Sequence, residues 1–290
     1  MSDADAVVQV TGLEKRYGDR VAVAGISFEV ARGETFALLG PNGAGKSTTI
    51  EILEGYRRRS GGRVSVLGHD PGTAGVDWKA RIGIVLQSDA EPGTARVREQ
   101  LAHFASFYPA PRDVDETLEA VGLTASSASR IRDLSGGQRR RLDVALGVVG
   151  RPELLFLDEP TTGFDPEARR RFWGLIRRLQ QEGTTILLTT HYLDEAAALS
   201  DRAAVIAGGR ILDLGPIDEI GSADARVPVV RWRDADGAHQ VRSAEPARLV
   251  ASLVEGAGGA EPTGVEIVRP SLEDVYLDLI GEQSEQEVRA

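Results

Sequence analysis

Between Val7 and Val30, apolar and polar residues alternate over short stretches broken by Gly12, Gly18 and Gly25, a pattern that predicts strands of a small antiparallel sheet. The pattern then changes. Thr35-Phe36-Ala37-Leu38-Leu39, Ile82–Leu86, Leu154–Leu157 and Thr185–Leu188 are short, nearly continuous apolar runs, as expected of strands covered on both faces. Between the last two lies a helical stripe, Phe172, Leu175, Ile176 and Leu179, with Asp165 placed to cap it, Pro166 at its first position and Gly183 to stop it. Strand, helix and strand in this order predict a parallel sheet wrapped by helices.

From about 88 to 150 the period is helical throughout. Val97, Leu101, Phe104 and Tyr108 share one face, a second helix starts at Asp113 and ends near Gly122, and Leu142, Ala145, Leu146 and Val149 mark a third. This stretch is expected to be a helical insert in the α/β core. Strand pattern returns from Asp201 to Leu214. Beyond Gly215-Pro216, Val227–Trp232 alternates, Asp236-Gly237 signals a hairpin, Pro246 opens a helix with Leu249 and Leu253, and Ser271 with Asp274 starts another. The expected organisation is a main domain over 6–220, a small α/β module over 225–281, and a polar, unstructured tail over 282–290.

Composition narrows the classes of function. The 290 residues carry 44 acidic against 34 basic side chains, a net charge of -10, which argues against a nucleic-acid partner. The arginine clusters at 57–59, 139–141 and 169–171 are expected to be solvated helix faces and caps. With no cysteine, disulfides, a thiolate nucleophile and Cys-ligated zinc are excluded. No apolar run reaches the ~18 residues of a membrane helix, and Met1-Ser2-Asp3-Ala4-Asp5 lacks the features of a signal peptide. A cytoplasmic location is expected.

Two segments carry the chemistry. Gly40-Pro41-Asn42-Gly43-Ala44-Gly45-Lys46-Ser47-Thr48 follows a buried strand and opens a helix, and its first eight residues fit the phosphate-loop pattern G-x-x-x-x-G-K-[ST]. Glycines there let consecutive amides converge on anionic oxygens, and the helix N-terminus adds partial positive charge. Lys46 can reach the β- and γ-phosphates of a nucleotide, and Ser47 can ligate magnesium. The second segment, Asp158-Glu159, ends the buried strand Leu154–Leu157. Asp158 is placed to anchor the metal, and Glu159, one residue on, to deprotonate an attacking water. Ser135-Gly136-Gly137-Gln138 precedes an amphipathic helix and offers a second set of open amides.

With Leu134-Ser135-Gly136-Gly137-Gln138 beside the phosphate loop and Asp158-Glu159-Pro160, the chain resembles the ABC ATPases over roughly Val7 to Ile220. The resemblance implies a P-loop α/β fold that binds and hydrolyses ATP with Mg2+. It also implies roles for Gln87 as the glutamine that senses metal and partner, His191 as the switch histidine near the γ-phosphate, Asp165 as the D-loop aspartate, and Tyr17 as the aromatic that stacks on adenine. In the family the signature of one subunit closes on the nucleotide of the other. A head-to-tail homodimer is therefore expected, docked on separately encoded permease subunits at the inner face of the membrane, with residues after Gln87 through about Phe107 lining the dock. Phe164 stands where the family usually has Leu.

The tail Arg269-Pro270-Ser271-Leu272-Glu273-Asp274-Val275-Tyr276 is similar to that of the drug-resistance-type exporter ATPases. The resemblance implies export of a drug-like solute. Export of lipid or polysaccharide, import, and a non-transport ABC ATPase are the alternatives. Fewer than a hundred residues separate Ser47 from Ser135, too few for the coiled coils of DNA-structural members.

Overall fold

The computed structural model describes residues 6–85, 93–234, 237–256 and 263–289, with side chains to 281. The chain divides into two compact units, Met1–Ile217 and Asp218–Ala290.

In the first unit, β1 (Ala6–Tyr17) and β2 (Arg20–Ala31) form the expected antiparallel pair. Their alternating residues, Val8, Val10 and Leu13 on one strand and Ile26, Phe28 and Val30 on the other, are buried. Next come β3 (Thr35–Leu39), α1 (Lys46–Leu53) and β4 (Gly61–Val66), which adds to β1 and completes a sheet of order β2-β1-β4. β4 opens on two glycines, which is why alternation did not reveal it. After a short α2 (Val76–Lys79) come β5 (Ile82–Val85) and the helical insert with α3 (Val97–Ala105), α4 (Val114–Ala120) and α5 (Gly136–Val148). Asp113 caps α4, accepting at 2.9 Å from the amides of Asp115 and Glu116. Tyr108 falls beyond the end of α3, where Ser106, Phe107 and Tyr108 make single-turn backbone bonds.

The core sheet is completed by β6 (Leu154–Asp158), β7 (Thr185–Thr189), β8 (Arg202–Ala207) and β9 (Arg210–Pro216), in the order β5-β6-β7-β3-β8-β9. All pairs are parallel except β8–β9, which turns through Gly208 and Gly209, both at positive φ. α6 (Pro166–Gln181) spans β6 to β7 with Asp165 as its cap, and α7 (Leu193–Leu199) follows β7. β3, between β7 and β8, is buried at every residue, as its unbroken apolar run requires. Phe28 stacks on Phe36 with ring centroids 5.4 Å apart, joining the antiparallel sheet to the core sheet.

The second unit holds a three-stranded sheet of order β11-β10-β12, from β10 (Val229–Asp234), β11 (Gly237–Arg242) and β12 (Thr263–Val268), with α8 (Pro246–Gly256) and α9 (Leu272–Arg289). Helix continues through 282–289, where polarity alone suggested an unstructured tail. Glu, Gln and Arg are good helix formers once a helix has started. Among the described residues no helix is long and apolar enough to cross a membrane.

Candidate active site

The loop between β3 and α1 is shaped by close approaches that only glycine permits. A Cβ on Gly40 would stand 2.1 Å from the carbonyl oxygen of Ile206 on β8, and one on Gly45 2.5 Å from that of Ala22 on β2. Gly45 also has φ +106, at the cap of α1. Ala44 is buried under the loop. Lys46 opens the helix and folds back across the loop. Its Nζ donates to the carbonyls of Gly40 at 2.7 Å and Pro41 at 3.1 Å, and the residue is only 6% exposed. Burial pushes the ammonium below its ordinary pKa, while the carboxylates of Glu159 and Asp158 pull it back up. The loop therefore holds one nearly dry cation facing two acids.

A cleft of about 220 Å³ opens over the loop, lined by Tyr17, Asn42, Gly43, Gly45, Lys46, Ser47, Thr48 and Glu159, together with Arg20 and Ala22. Eight of the expected site residues thus share one cavity. Tyr17 has its ring flanked by cations, with Lys15 Nζ 4.8 Å and Arg57 Cζ 5.4 Å from the ring centroid.

Asp158 ends β6, and its Oδ1 accepts a short hydrogen bond from Thr189 Oγ1 on the neighbouring β7. Glu159 leaves the strand in a left-handed conformation, φ 46. Its amide donates to the carbonyl of Thr189 at 3.1 Å, and its Oε2 accepts from Thr162 Oγ1 at 3.4 Å. The same oxygen lies 3.3 Å from Nδ1 of His191, which follows β7. Parallel pairing of β6 and β7 is what places these two residues together; ligands gather at such carboxyl ends of parallel strands. The pair can hold a water and accept its proton, which is general-base chemistry.

Four expected residues lie outside this cleft and form a cap of their own. Ser135 caps α5: its Oγ accepts from the Gln138 amide at 3.2 Å, and Gln138 Oε1 accepts from the Ser135 amide at 2.9 Å. Gly136 and Gly137 occupy the first turn. Asp165 accepts from the Ala168 amide at 2.7 Å as the cap of α6 and does not line the cleft. Gln87 lies outside the described residues.

Three residues near the site were not anticipated. Arg20 was hidden because only the β1–β2 turn brings its guanidinium beside Gly43. Arg140 corrects the expectation of a solvated arginine cluster. It is buried and donates to the backbone carbonyls of Asp158 at 2.5 Å, Glu159 at 3.1 Å and Pro160 at 3.1 Å. The helix that starts at Ser135 is thereby tied to the strand end carrying both acids. Glu54, buried at the end of α1, has its pKa pushed up to about 8 by burial and by the charges of Asp158 and Glu51.

Known proteins of one family resemble this chain. Residues 23–162 match the family model described as ABC transporter. The daunorubicin resistance ATP-binding protein DrrA3 of Streptomyces coeruleorubidus is 37% identical over 96% of this chain and 97% of its own. The Nod factor export ATP-binding protein I of Ralstonia nicotianae is also 37% identical, over 96% of this chain and 94% of its own. The solved structure of cbiO1 from Clostridium perfringens, part of the ABC transporter complex cbiONQ, is 30% identical and superposes with a TM-score of 0.65 over 74% of this chain and 90% of that one. Glycine loop, paired acids and signature cap, in a chain this similar to those proteins along nearly its whole length, place it in the family of ABC transporter ATP-binding subunits.

Proposed function

We propose that the chain hydrolyses magnesium ATP in a head-to-tail pair of identical subunits and drives export of a drug-like solute through a separately encoded permease at the inner face of the cell membrane. The observation that carries this reading is the division of the site. Lys46, Ser47 and Glu159 share a cleft, whereas the amides behind Ser135 lie outside it. A nucleotide in the cleft leaves its γ-phosphate facing outward, and the signature cap of a second copy supplies the missing donors.

Ser47 and Asp158, hard oxygen donors at the loop and the strand end, fit magnesium, and Gln87 would join them. Magnesium held there would supply positive charge against the β- and γ-phosphate oxygens. Lys46 binds the same oxygens, Tyr17 stacks on the base, Glu159 takes the proton of the attacking water, and His191 orients Glu159. Closure of the two subunits would be transmitted to the permease through the segment after Gln87 toward Phe107. Phe107 is strongly exposed, and His103 packs edge-on to it at 4.9 Å.

A drug-like cargo follows from similarity to the daunorubicin resistance protein. Equal identity to the Nod factor export protein supports a second reading, export of a cargo of the Nod factor kind. Two measurements separate these claims. Specific ATPase activity should rise with protein concentration until the pair is saturated, and a flat profile across that range removes the composite site. Inverted vesicles carrying this chain together with a permease that co-purifies with it should accumulate daunorubicin only with ATP; uptake that is absent or independent of ATP removes drug export.

A further inference from the structure

Glu159 presents its side chain from a backbone conformation that its neighbours must enforce. Its φ is 46, in the left-handed region, and Pro160 follows, which biases the preceding residue toward extended backbone. Such a conformation lasts only where the surroundings over-determine it. On the amide side β7 does so: the Glu159 N–H donates to the carbonyl of Thr189 at 3.1 Å and to its Oγ1 at 3.2 Å. The carbonyl side is harder to hold. Peptide units are planar, and the one between Glu159 and Pro160 has no N–H, so only its carbonyl can be gripped.

Arg140 grips it from the second turn of α5, where the residue is only 8% exposed. Its Nη2 donates to the carbonyls of Asp158 at 2.5 Å and Glu159 at 3.1 Å, and its Nε donates to that of Pro160 at 3.1 Å. The Thr162 amide adds a longer bond to the Glu159 carbonyl, at 3.3 Å. The carbonyls of 158 and 159 lie in the two peptide planes that flank the Glu159 Cα. Fixing both planes fixes φ and ψ between them, and one rigid guanidinium fork does this. A lysine ammonium, a single point on a flexible stem, cannot hold the same three acceptors in plane. The backbone so held directs the carboxylate to within 3.3 Å of His191 Nδ1.

We infer that Arg140 is a positioning residue for ATP hydrolysis: its grip on the carbonyls of 158 to 160 keeps Glu159 left-handed and aims the carboxylate, so that the placement of the base depends on the helix whose first turn carries the signature cap. The inference rests on the role given to Glu159 above. Small displacements of a base from its water are costly, about 100-fold for 1 Å.

A double-mutant cycle on the full chain provides the test. Arg140→Met should lower kcat about 10- to 100-fold and melt lower, because three carbonyls lose their donor. Arg140→Lys, which keeps the charge, decides the matter if the methionine variant does not fold. It should lose about 10-fold in kcat with KM for ATP within about twofold. Wild-type kcat in Arg140→Lys, or a loss that appears equally in KM, overturns the inference. In Glu159→Ala no carboxylate is left to aim, so adding Arg140→Lys there should slow single-turnover hydrolysis by less than about twofold. A further drop of about 10-fold in that background, the additive result, shows that the arginine acts on something other than the base and also overturns it. Glu159→Ala alone at wild-type turnover refutes the role of Glu159 itself, whereas an impaired Glu159→Ala with additive losses refutes only the link proposed here.

Discussion

Glu159→Gln should lower kcat by about two to four orders of magnitude and leave ATP affinity close to wild type. Glutamine has the same shape, so Thr162 Oγ1 can still donate to the side-chain oxygen and the amide of residue 159 can still donate to Thr189. What is lost is the one acid that lines the cleft among the described residues, since Asp158 is engaged by Thr189 and lies one residue back on the strand. Binding depends on the other wall, where the glycine loop, Lys46 and Tyr17 are untouched. The variant should therefore accumulate as an ATP-loaded pair. Single-turnover hydrolysis gives the rate, and size-exclusion chromatography in ATP gives the dimer. Wild-type turnover would refute Glu159 as the base.

Lys46→Ala should weaken ATP binding by about two orders of magnitude, the loss of roughly two charge-assisted hydrogen bonds to phosphate. The position offers little compensation. Lys46 is enclosed, its Nζ is the donor to two loop carbonyls, and alanine leaves both without it. It also removes the cation facing Asp158 and Glu159, so the two carboxylates would meet an incoming triphosphate without a positive charge between them. Titration with a fluorescent ATP analogue reads the affinity directly. A dissociation constant within about twofold of wild type, where two such bonds predict far more, would show that the lysine serves the loop rather than the ligand.

The phosphate loop and Asp158-Glu159 were legible in the sequence because their chemistry is local: glycines that must bend, a lysine at a helix start, acids at the end of an apolar run. The buried strands were legible for the same reason, each carrying its own apolar signature. Arg140 and Glu54 were not, because charged residues reveal burial only through what folds over them, and Arg20 was not, because only the turn between β1 and β2 brings it to the loop. The three consecutive arginines from Arg139 read as a solvated run, yet the helix turns Arg140 inward against the end of β6 and sends Arg141 to the carbonyl of Gly122 at 2.9 Å. β4 and β12 escaped because glycine interrupts their alternation. The polar end of α9 escaped because low hydrophobicity says little about helix continuation.

The left-handed backbone of Glu159 sets the working requirement of this enzyme against its durability. A side chain with a Cβ in that conformation costs about 1–2 kcal/mol, a penalty glycine would not carry. Glu159→Gly should accordingly melt higher than Glu159→Ala, by the equivalent of about 1 kcal/mol, and equal melting points would show the turn to be relaxed. With Glu159 as the proposed base, drift toward robustness would then lead a lineage away from activity at this codon.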